Sequence, residues 1–457
     1  MPCEPKTLVA AHAWIDGAWA KDVVLEVGAN GCWAKIESNV PLDSWPDTVT
    51  DRAVLPGVVN AHSHAFQRAI AGLTEARTVV HTADDFWSWR DRMYSAANRI
   101  TPEQLEVIAR QLYRELLAGG YTHVCEFHYL HHDVNGVAYT DPAEMALALV
   151  RAAQHTGIGL TLLPSLYVRS GFNMTGLRHD QRRFATTPGA IVNIIESINR
   201  QTAGMNNINT GVALHSLRAV PESALNELDA YARQHNLPVH IHVAEQIAEV
   251  EDCLAHTGQR PIEWLLNNVE LNARWNLVHA THATTTELDG IAECGASIVL
   301  CPTTEANLGD GVFPLPQYAA RDGRWSVGSD SHISRAWPEE LRMLEYSQRL
   351  TLRQRNVAAQ SPPGRSSAAT MFEALVEGGS AAAGLRIGRI AVGQRADVAA
   401  LDLRSSSLLG IPSDQVLDAA VFSTPLTAMT AIHVAGRPVN LAPDDDFATV
   451  MRALWHR

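Results

Sequence analysis

Two histidines one residue apart, His62 and His64, close an apolar run from Val54 to His64. On a β-strand residues i and i+2 share a face, so the two imidazoles point the same way and can chelate one metal ion. Alone, such a pair is as often an ordinary surface or core feature. The run Pro238 to Glu245 repeats it: His240 and His242 share one face, Val239, Ile241 and Val243 the other. Glu245 follows at the strand end, where a general acid/base would sit beside a ligand. A third run ends in His279-Ala-Thr-His282 and a fourth in Gly328-Ser-Asp330-Ser-His332. Each taken singly has a plain explanation, a hydrogen-bonded core imidazole or an aspartate that caps a helix. Four strand ends that all carry metal-type or proton-transfer groups point to a single reactive site.

The elements that must position these groups are visible as eight apolar, strand-like runs. They are Val54 to His64, Tyr121 to Leu130, Gly157 to Val168, Gly211 to Leu217, Pro238 to Glu245, Trp275 to Thr281, Ala296 to Pro302 and Trp325 to Asp330. Helical segments fill the gaps. Pro102 to Ala118 places Leu105, Ile108, Ala109, Leu112 and Leu116 near a 3.6-residue period, with Thr101 as N-cap and Pro at the first helical position. Asp141-Pro142 before Met145 to Ala153 repeats the device, and Pro221 to Gln234 and Thr284 to Cys294 are similar. Strands alternating with helices imply parallel pairing and right-handed crossovers. Eight of them predict a (β/α)8 TIM barrel, whose active site lies at the C-terminal ends of the strands. The alternative is an open doubly wound sheet; no Gly-rich dinucleotide fingerprint follows the first strand to favour it.

Both ends of the chain read as β. Residues 7–55 hold short apolar stretches, and Asp397 to Leu403, Ala419 to Phe422 and Ala428 to Val434 do the same at the other end. The low-complexity patch Ser361 to Ser367 reads as a loop before a helix starting near Ala369.

Composition narrows the function. The 457 residues include 36 Lys+Arg and 49 Asp+Glu, a net charge of −13 with His neutral. That balance argues against nucleic-acid or anionic-membrane binding, which call for a basic face. No apolar run is long enough to span a membrane, and the N-terminus lacks a signal-peptide pattern. Six scattered cysteines without a CxxC pair read as buried, reduced thiols of a cytoplasmic protein. An anionic substrate would have to be met by a few well-placed arginines.

The combination resembles the amidohydrolase superfamily over nearly the whole chain. Pro56 to His64 (PGVVNAHSH), His242 to Glu245 (HVAE), Leu277 to His282 (LVHATH) and Gly328 to Asp330 (GSD) are similar to its strand-end motifs. Ile387 to Asp397 resembles its return to a small β-domain. The resemblance implies a barrel over 55–384 and a small β-sandwich domain built from both termini, 1–54 and 385–457. The fourth run ends in His215-Ser-Leu-Arg218, without the bridging Lys of two-metal members, which implies the one-metal deaminase branch. Within that branch the segments 62–75, 86–94, 126–133, 213–220, 240–246 and 301–311 look like those of the formimidoylglutamate deiminases.

The same resemblance implies roles for individual residues. His62, His64, His242 and Asp330 would hold one divalent ion, Zn²⁺ by donor type, although another first-row ion would also suit them. Glu245, His279 and Asp330 would be catalytic. Gln67, Arg90, Tyr129, His215 and Arg218 would contact the substrate, the small dianion N-formimino-L-glutamate. Hydroxide formed on the metal would attack the formimino carbon, with Glu245 as general acid/base, in a step of histidine degradation. A homodimer is implied as well. His240, His131, His132 and His282 are read as packed or supporting imidazoles, and Arg68 and Arg92 as structural or solvated. The segment Thr303 to Gly311 is read as a βα loop that could close over substrate. Two rival readings stand beside this one: a deaminase of an amino-heterocycle such as guanine, an adenosine derivative or a triazine, and a non-catalytic barrel used in assembly.

Overall fold

The computed structural model describes residues 6–41, 52–76, 85–359, 364–424 and 429–455. Eight parallel strands follow one another around a barrel: Val58–Ser63, Tyr121–His128, Gly159–Leu166, Val212–Ser216, Val239–Val243, Trp275–His279, Ser297–Leu300 and Arg324–Val327. Each coincides with one of the eight sequence runs, the last starting one residue earlier, at Arg324. The strands are buried on both faces, the inner by the barrel's own side chains and the outer by helices, which explains their near-continuous apolar character. The fourth position is shared, since a short strand Ile208–Thr210 pairs with Leu160 to Leu162 before Val212–Ser216 pairs with Ser165 and Leu166.

The barrel closes between its first and last strands. Ser63 and Asp330 form a parallel bridge, and the Asp330 N–H donates to the His62 carbonyl at 3.0 Å. Gly328 permits this approach, because a Cβ there would lie 2.5 Å from that of His62. Asn60 clamps the seam: its Nδ2 donates to Ser329 Oγ at 2.7 Å, and its Oδ1 accepts the Ser329 N–H at 2.9 Å.

The helices follow their sequence signals closely. Pro102–Ala118 has Thr101 and Gln104 in a reciprocal capping box, so two otherwise unpaired N–H groups are satisfied. Thr284 caps Thr285–Cys294 in the same way. Asp141 caps the turn that leads into Glu144–Thr156, accepting from Ala143, so that helix starts later than the Asp-Pro pair suggests. The helix expected near Ala369 is Ser367–Ala383, capped by Ser366; residues 361–363 of the preceding patch lie outside the described residues.

The termini meet in a separate seven-stranded mixed sheet. Its order is Arg437–Pro438, Met429–Val434, Val398–Asp402, Arg52–Pro56, Lys6–Ile15, Ala18–Val27 and Trp33–Glu37. Asp16 and Gly17, both at positive φ, make the two-residue hairpin turn that right-handed strand twist favours. A core of its own, with Ala13, Val23, Leu25, Trp33, Val54 and Val398, supports this sheet. The first sequence run therefore divides at Gly57: Arg52–Pro56 joins the mixed sheet and Val58–Ser63 the barrel. Ala419 to Phe422 corrects a second expectation, since it lies in the helix Val416–Phe422. Four apolar residues cannot by themselves distinguish a strand from a buried helix face. Cys125, Cys253 and Cys301 are buried free thiols, whereas Cys32 and Cys294 are half-buried rather than buried; Cys3 lies outside the described residues. Among the described residues no helix is long and apolar enough to cross a membrane.

Candidate active site

At the C-terminal ends of the barrel strands four donor groups converge. His62 and His64 end the first strand, with their Nε2 atoms 3.1 Å apart. His242, on the inner face of the fifth strand, brings its Nε2 to 3.1 Å from that of His62. Asp330, after the eighth strand, places Oδ1 3.5 Å from His62 Nε2 and 3.4 Å from His64 Nε2.

The ring orientations are fixed from behind. His64 Nδ1 lies 2.7 Å from the Phe127 carbonyl, and His242 Nδ1 lies 2.8 Å from the His215 carbonyl. A carbonyl accepts only, so each Nδ1 carries the proton and each Nε2 presents a lone pair. Burial, with neighbouring imidazoles adding, keeps His62 and His242 well below the ordinary histidine value and His64 down to about 3. His62 Nε2 can donate to at most one of these two nitrogens, so at least one 3.1 Å contact sets lone pairs face to face, a repulsion that a cation between the rings would relieve. Donors about 2.0–2.1 Å from a tetrahedral ion sit roughly 3.3 Å apart, close to the spacing here. The donor set thus fits a metal ion.

A second group of residues adjoins this cluster. His279, ending the sixth strand, places Nε2 3.7 Å from Glu245 Oε1 and 3.9 Å from Asp330 Oδ2. Its Nδ1 lies 3.2 Å from Glu305 Oε1, which also accepts the Cys301 N–H at 2.9 Å. Burial opposes charge on His279, yet Glu245, Cys301 and Glu305 together hold its pKa well above the ordinary value. Burial raises that of Glu245 to about 7; His279 opposes the shift and Asp330 and Glu249 add to it. A carboxyl poised there can both give and take a proton near neutrality.

The backbone is strained where these groups emerge. Ala244, His279, Ala280, Asp330 and His332 all have φ between 42° and 69°. Left-handed conformations cost non-glycine residues on the order of 1 kcal/mol or more each, and such outliers cluster where surrounding packing imposes a functional geometry. His332 holds one of these turns, with Nδ1 3.0 Å from Ser329 Oγ and Nε2 3.0 Å from the His64 carbonyl.

Gln67, Arg90, Tyr129, His215 and Arg218 line one cleft with His64, His242, Glu245, His279 and Asp330; His62 lies beneath, fully buried. Gln67 Nε2 donates to the Tyr129 hydroxyl at 3.2 Å, leaving Gln67 Oε1 buried without a partner among the described residues. Arg90 Nε is likewise buried and unpartnered. Burial, with Arg218 adding, depresses His215 well below the ordinary value.

Three of the imidazoles read as supporting ones meet backbone carbonyls. His240 Nε2 meets the Ala382 carbonyl at 2.9 Å, His131 Nε2 the Ser165 carbonyl at 3.0 Å and His132 Nδ1 the Arg183 carbonyl at 3.4 Å. Arg68 forks onto Glu115 at 2.7 and 2.9 Å, and Arg92 binds the Thr74 and Ala76 carbonyls, so neither enters the cleft. The segment after the seventh strand departs from expectation. It is not a loop throughout: Pro302–Leu308 is a helix ending at left-handed Gly309, and it delivers Glu305 to His279. Pro at its first position and Gly just past its end were the available signals. Phe86, Trp89, Met93 and Tyr94, from the helix Phe86–Ala97, also line the cleft and were not read as site residues. A larger hollow near the opposite strand ends, lined by Ala296, Trp325 and Met371, gathers no comparable donors among the described residues.

The chain matches the amidohydrolase family model over residues 53–451. It is 44% identical over 438 residues to the formimidoylglutamate deiminase of Pseudomonas aeruginosa, covering 94% of this chain and 93% of that one. It is 26% identical to a 5-methylthioadenosine/S-adenosylhomocysteine deaminase of Halobacterium salinarum, over 78% of this chain and 74% of that one. Among solved structures, an amidohydrolase from Brucella melitensis superposes with a TM-score of 0.91 at 40% identity, covering 98% of both chains.

Proposed function

The chain belongs to the amidohydrolase family, and on that basis we propose that it is a deiminase that converts N-formimino-L-glutamate and water to N-formyl-L-glutamate and ammonia. The observation that carries this reading is the presence of Arg90 and Arg218 in the same cleft as the His–Asp donor cluster. Two guanidiniums suit a substrate with two carboxylates, because each can grip one in a two-pronged fork.

His62, His64, His242 and Asp330 would hold the metal, Zn²⁺ by the chemistry of three imidazoles and one carboxylate. Such an ion, when bound, acidifies a coordinated water and polarises an adjacent electrophile. The protein's own groups do the rest. Asp330 Oδ2, on the side facing His279, accepts the proton of the attacking water. Glu245, protonated at the outset, delivers its proton to the imine nitrogen, then takes the proton of the added hydroxyl and passes it to the same nitrogen, which leaves as ammonia as the tetrahedral centre collapses to the formyl group; the proton held by Asp330 returns to Glu245 and restores both groups. His279, held cationic between Glu245 and Glu305, donates from Nε2 to the oxygen added at the formimino carbon. Gln67 Oε1, without a partner among the described residues, accepts from a formimino N–H, and Arg90 and Arg218 bind the carboxylates with Tyr129 and His215 beside them. The same reading includes a homodimer working in the cytoplasm in histidine degradation.

The test is ammonia release from N-formimino-L-glutamate, set against guanine, an adenosine derivative and a triazine, with metal content measured on the same sample. Turnover of the formimino compound by metal-loaded protein is expected. Turnover of a heterocycle in its place would overturn the assignment, and a metal-free, inactive protein would favour an assembly role.

A further inference from the structure

Arg90 and Arg218 come from different elements, the helix Phe86–Ala97 and the turn after the fourth barrel strand, yet both lie over one indole. Arg90 Cζ is 4.5 Å and Arg218 Cζ is 5.8 Å from the ring of Trp87. Both distances fall within cation–π range. Among the described residues neither guanidinium forms an ion pair.

Trp87 is itself well anchored. Asp85 Oδ1 accepts the backbone N–H groups of Trp87 and Ser88 at 3.0 and 3.1 Å, and Ser88 Oγ accepts the Asp85 N–H at 3.0 Å. Phe86 meets the indole edge-on at 5.0 Å. Arg90 follows three residues later on the same helix face, and Tyr94 backs it at 5.5 Å.

The manner of holding matters for an anion. A guanidinium stacked on a ring is gripped through its face, while its N–H donors lie at its edge and remain available. A carboxylate partner would occupy those donors and cancel the charge. In a chain of net charge −13, an aromatic holder keeps two positive charges fixed and unspent.

We propose that Trp87 is a positioning residue that sets the spacing of Arg90 and Arg218 and so selects a dianionic substrate over a monoanionic one. This rests on the formiminoglutamate reading. The experiment compares N-formimino-L-glutamate with 4-(formimidoylamino)butanoate, which lacks one carboxylate, in wild-type, Trp87→Leu and Trp87→Phe enzymes. Trp87→Leu is expected to raise KM for the dianion about 10-fold with kcat within about 3-fold, while KM for the monoanion moves less than about 3-fold. Trp87→Phe, which keeps a weaker π face, should fall between wild type and Trp87→Leu, and its selective rise in dianion KM suffices should the Leu variant not fold. Wild-type enzyme that releases no ammonia from the dianion overturns both this inference and the reading beneath it. An active wild type whose dianion preference is unchanged in both variants, or equal losses toward both substrates, overturns the inference alone.

Discussion

Glu305 Oε1 lies 3.2 Å from His279 Nδ1, and the same oxygen accepts the Cys301 N–H. The contact joins the helix after the seventh strand to the end of the sixth. It fixes which edge of His279 faces Glu245 and adds to Glu245 and Cys301 in holding the ring's pKa above the ordinary value. Glu305→Gln keeps an acceptor but loses that charge. Such supporting changes typically cost about 10–100-fold in activity, and kcat is expected to fall in that range with metal content unchanged. A wild-type kcat in this variant would show that the charge of Glu305 is not needed at His279.

Glu245 is assigned to move protons, not to bind metal. Glu245→Gln should therefore retain a full complement of metal and lose about 10²–10⁴-fold in kcat. Elemental analysis beside steady-state kinetics checks both halves, and near-normal turnover would remove Glu245 from the proton path.

Arg218 lines the cleft and is proposed to bind substrate, so its loss should appear in KM. A charge-assisted hydrogen-bond pair removed from a cleft predicts a rise of roughly 10–100-fold for Arg218→Ala. Arg218→Lys should not restore it, because an ammonium cannot reproduce the fork. An unchanged KM would place the carboxylate elsewhere.

Behind His62 and His64 lies Glu126, buried and bonded by Ser63 Oγ at 2.7 Å and the Ala65 N–H. Burial pushes its pKa up to about 8. From the ordinary carboxylate range to pH 8 the folded protein keeps a proton that the unfolded chain has released. Stability attributable to this group therefore falls as pH rises through that window. Glu340, raised by burial to about 8, acts in the same direction. Glu126→Gln can accept the Ala65 N–H through Oε1 and donate from Nε2 to Ser63 Oγ without the charge, so the fall in Tm between about pH 5.5 and about pH 8 should be smaller than in the wild type. Parallel melting curves for the two proteins across that range would refute this.

Much of this arrangement was legible in the sequence because period-two alternation is local. His62 with His64, and His240 with His242, declare their shared faces, Glu245 declares its strand-end position within a few residues, and each barrel strand coincides with an apolar run. Contacts between distant elements were not legible. Nothing in Pro302 to Gly309 names His279 as the target of Glu305, and the helix was short enough to pass for a loop. The junction at Gly57 was hidden because Arg52–Pro56 and Val58–Ser63 are both strands, so one apolar run spans two sheets. The helix at Val416–Phe422 was missed for the opposite reason, since its apolar stretch is too short to reveal a period.

The seam between the first and eighth strands has a consequence for how the enzyme comes into being. His62 and Asp330 sit at the two ends of a circle of eight strands, and the bond that joins their backbones also shuts the circle. A nascent chain already carries two of the four donors when His64 emerges, a third with His242, and the last only with Asp330. On the proposed ligand set, metal capture and completion of the fold become one event, and a truncated or half-folded chain would have no finished site in which to trap an ion. Gly328→Ala, which would set a methyl group against His62, is expected to lower metal occupancy and Tm together; loss of one without the other would separate the two events.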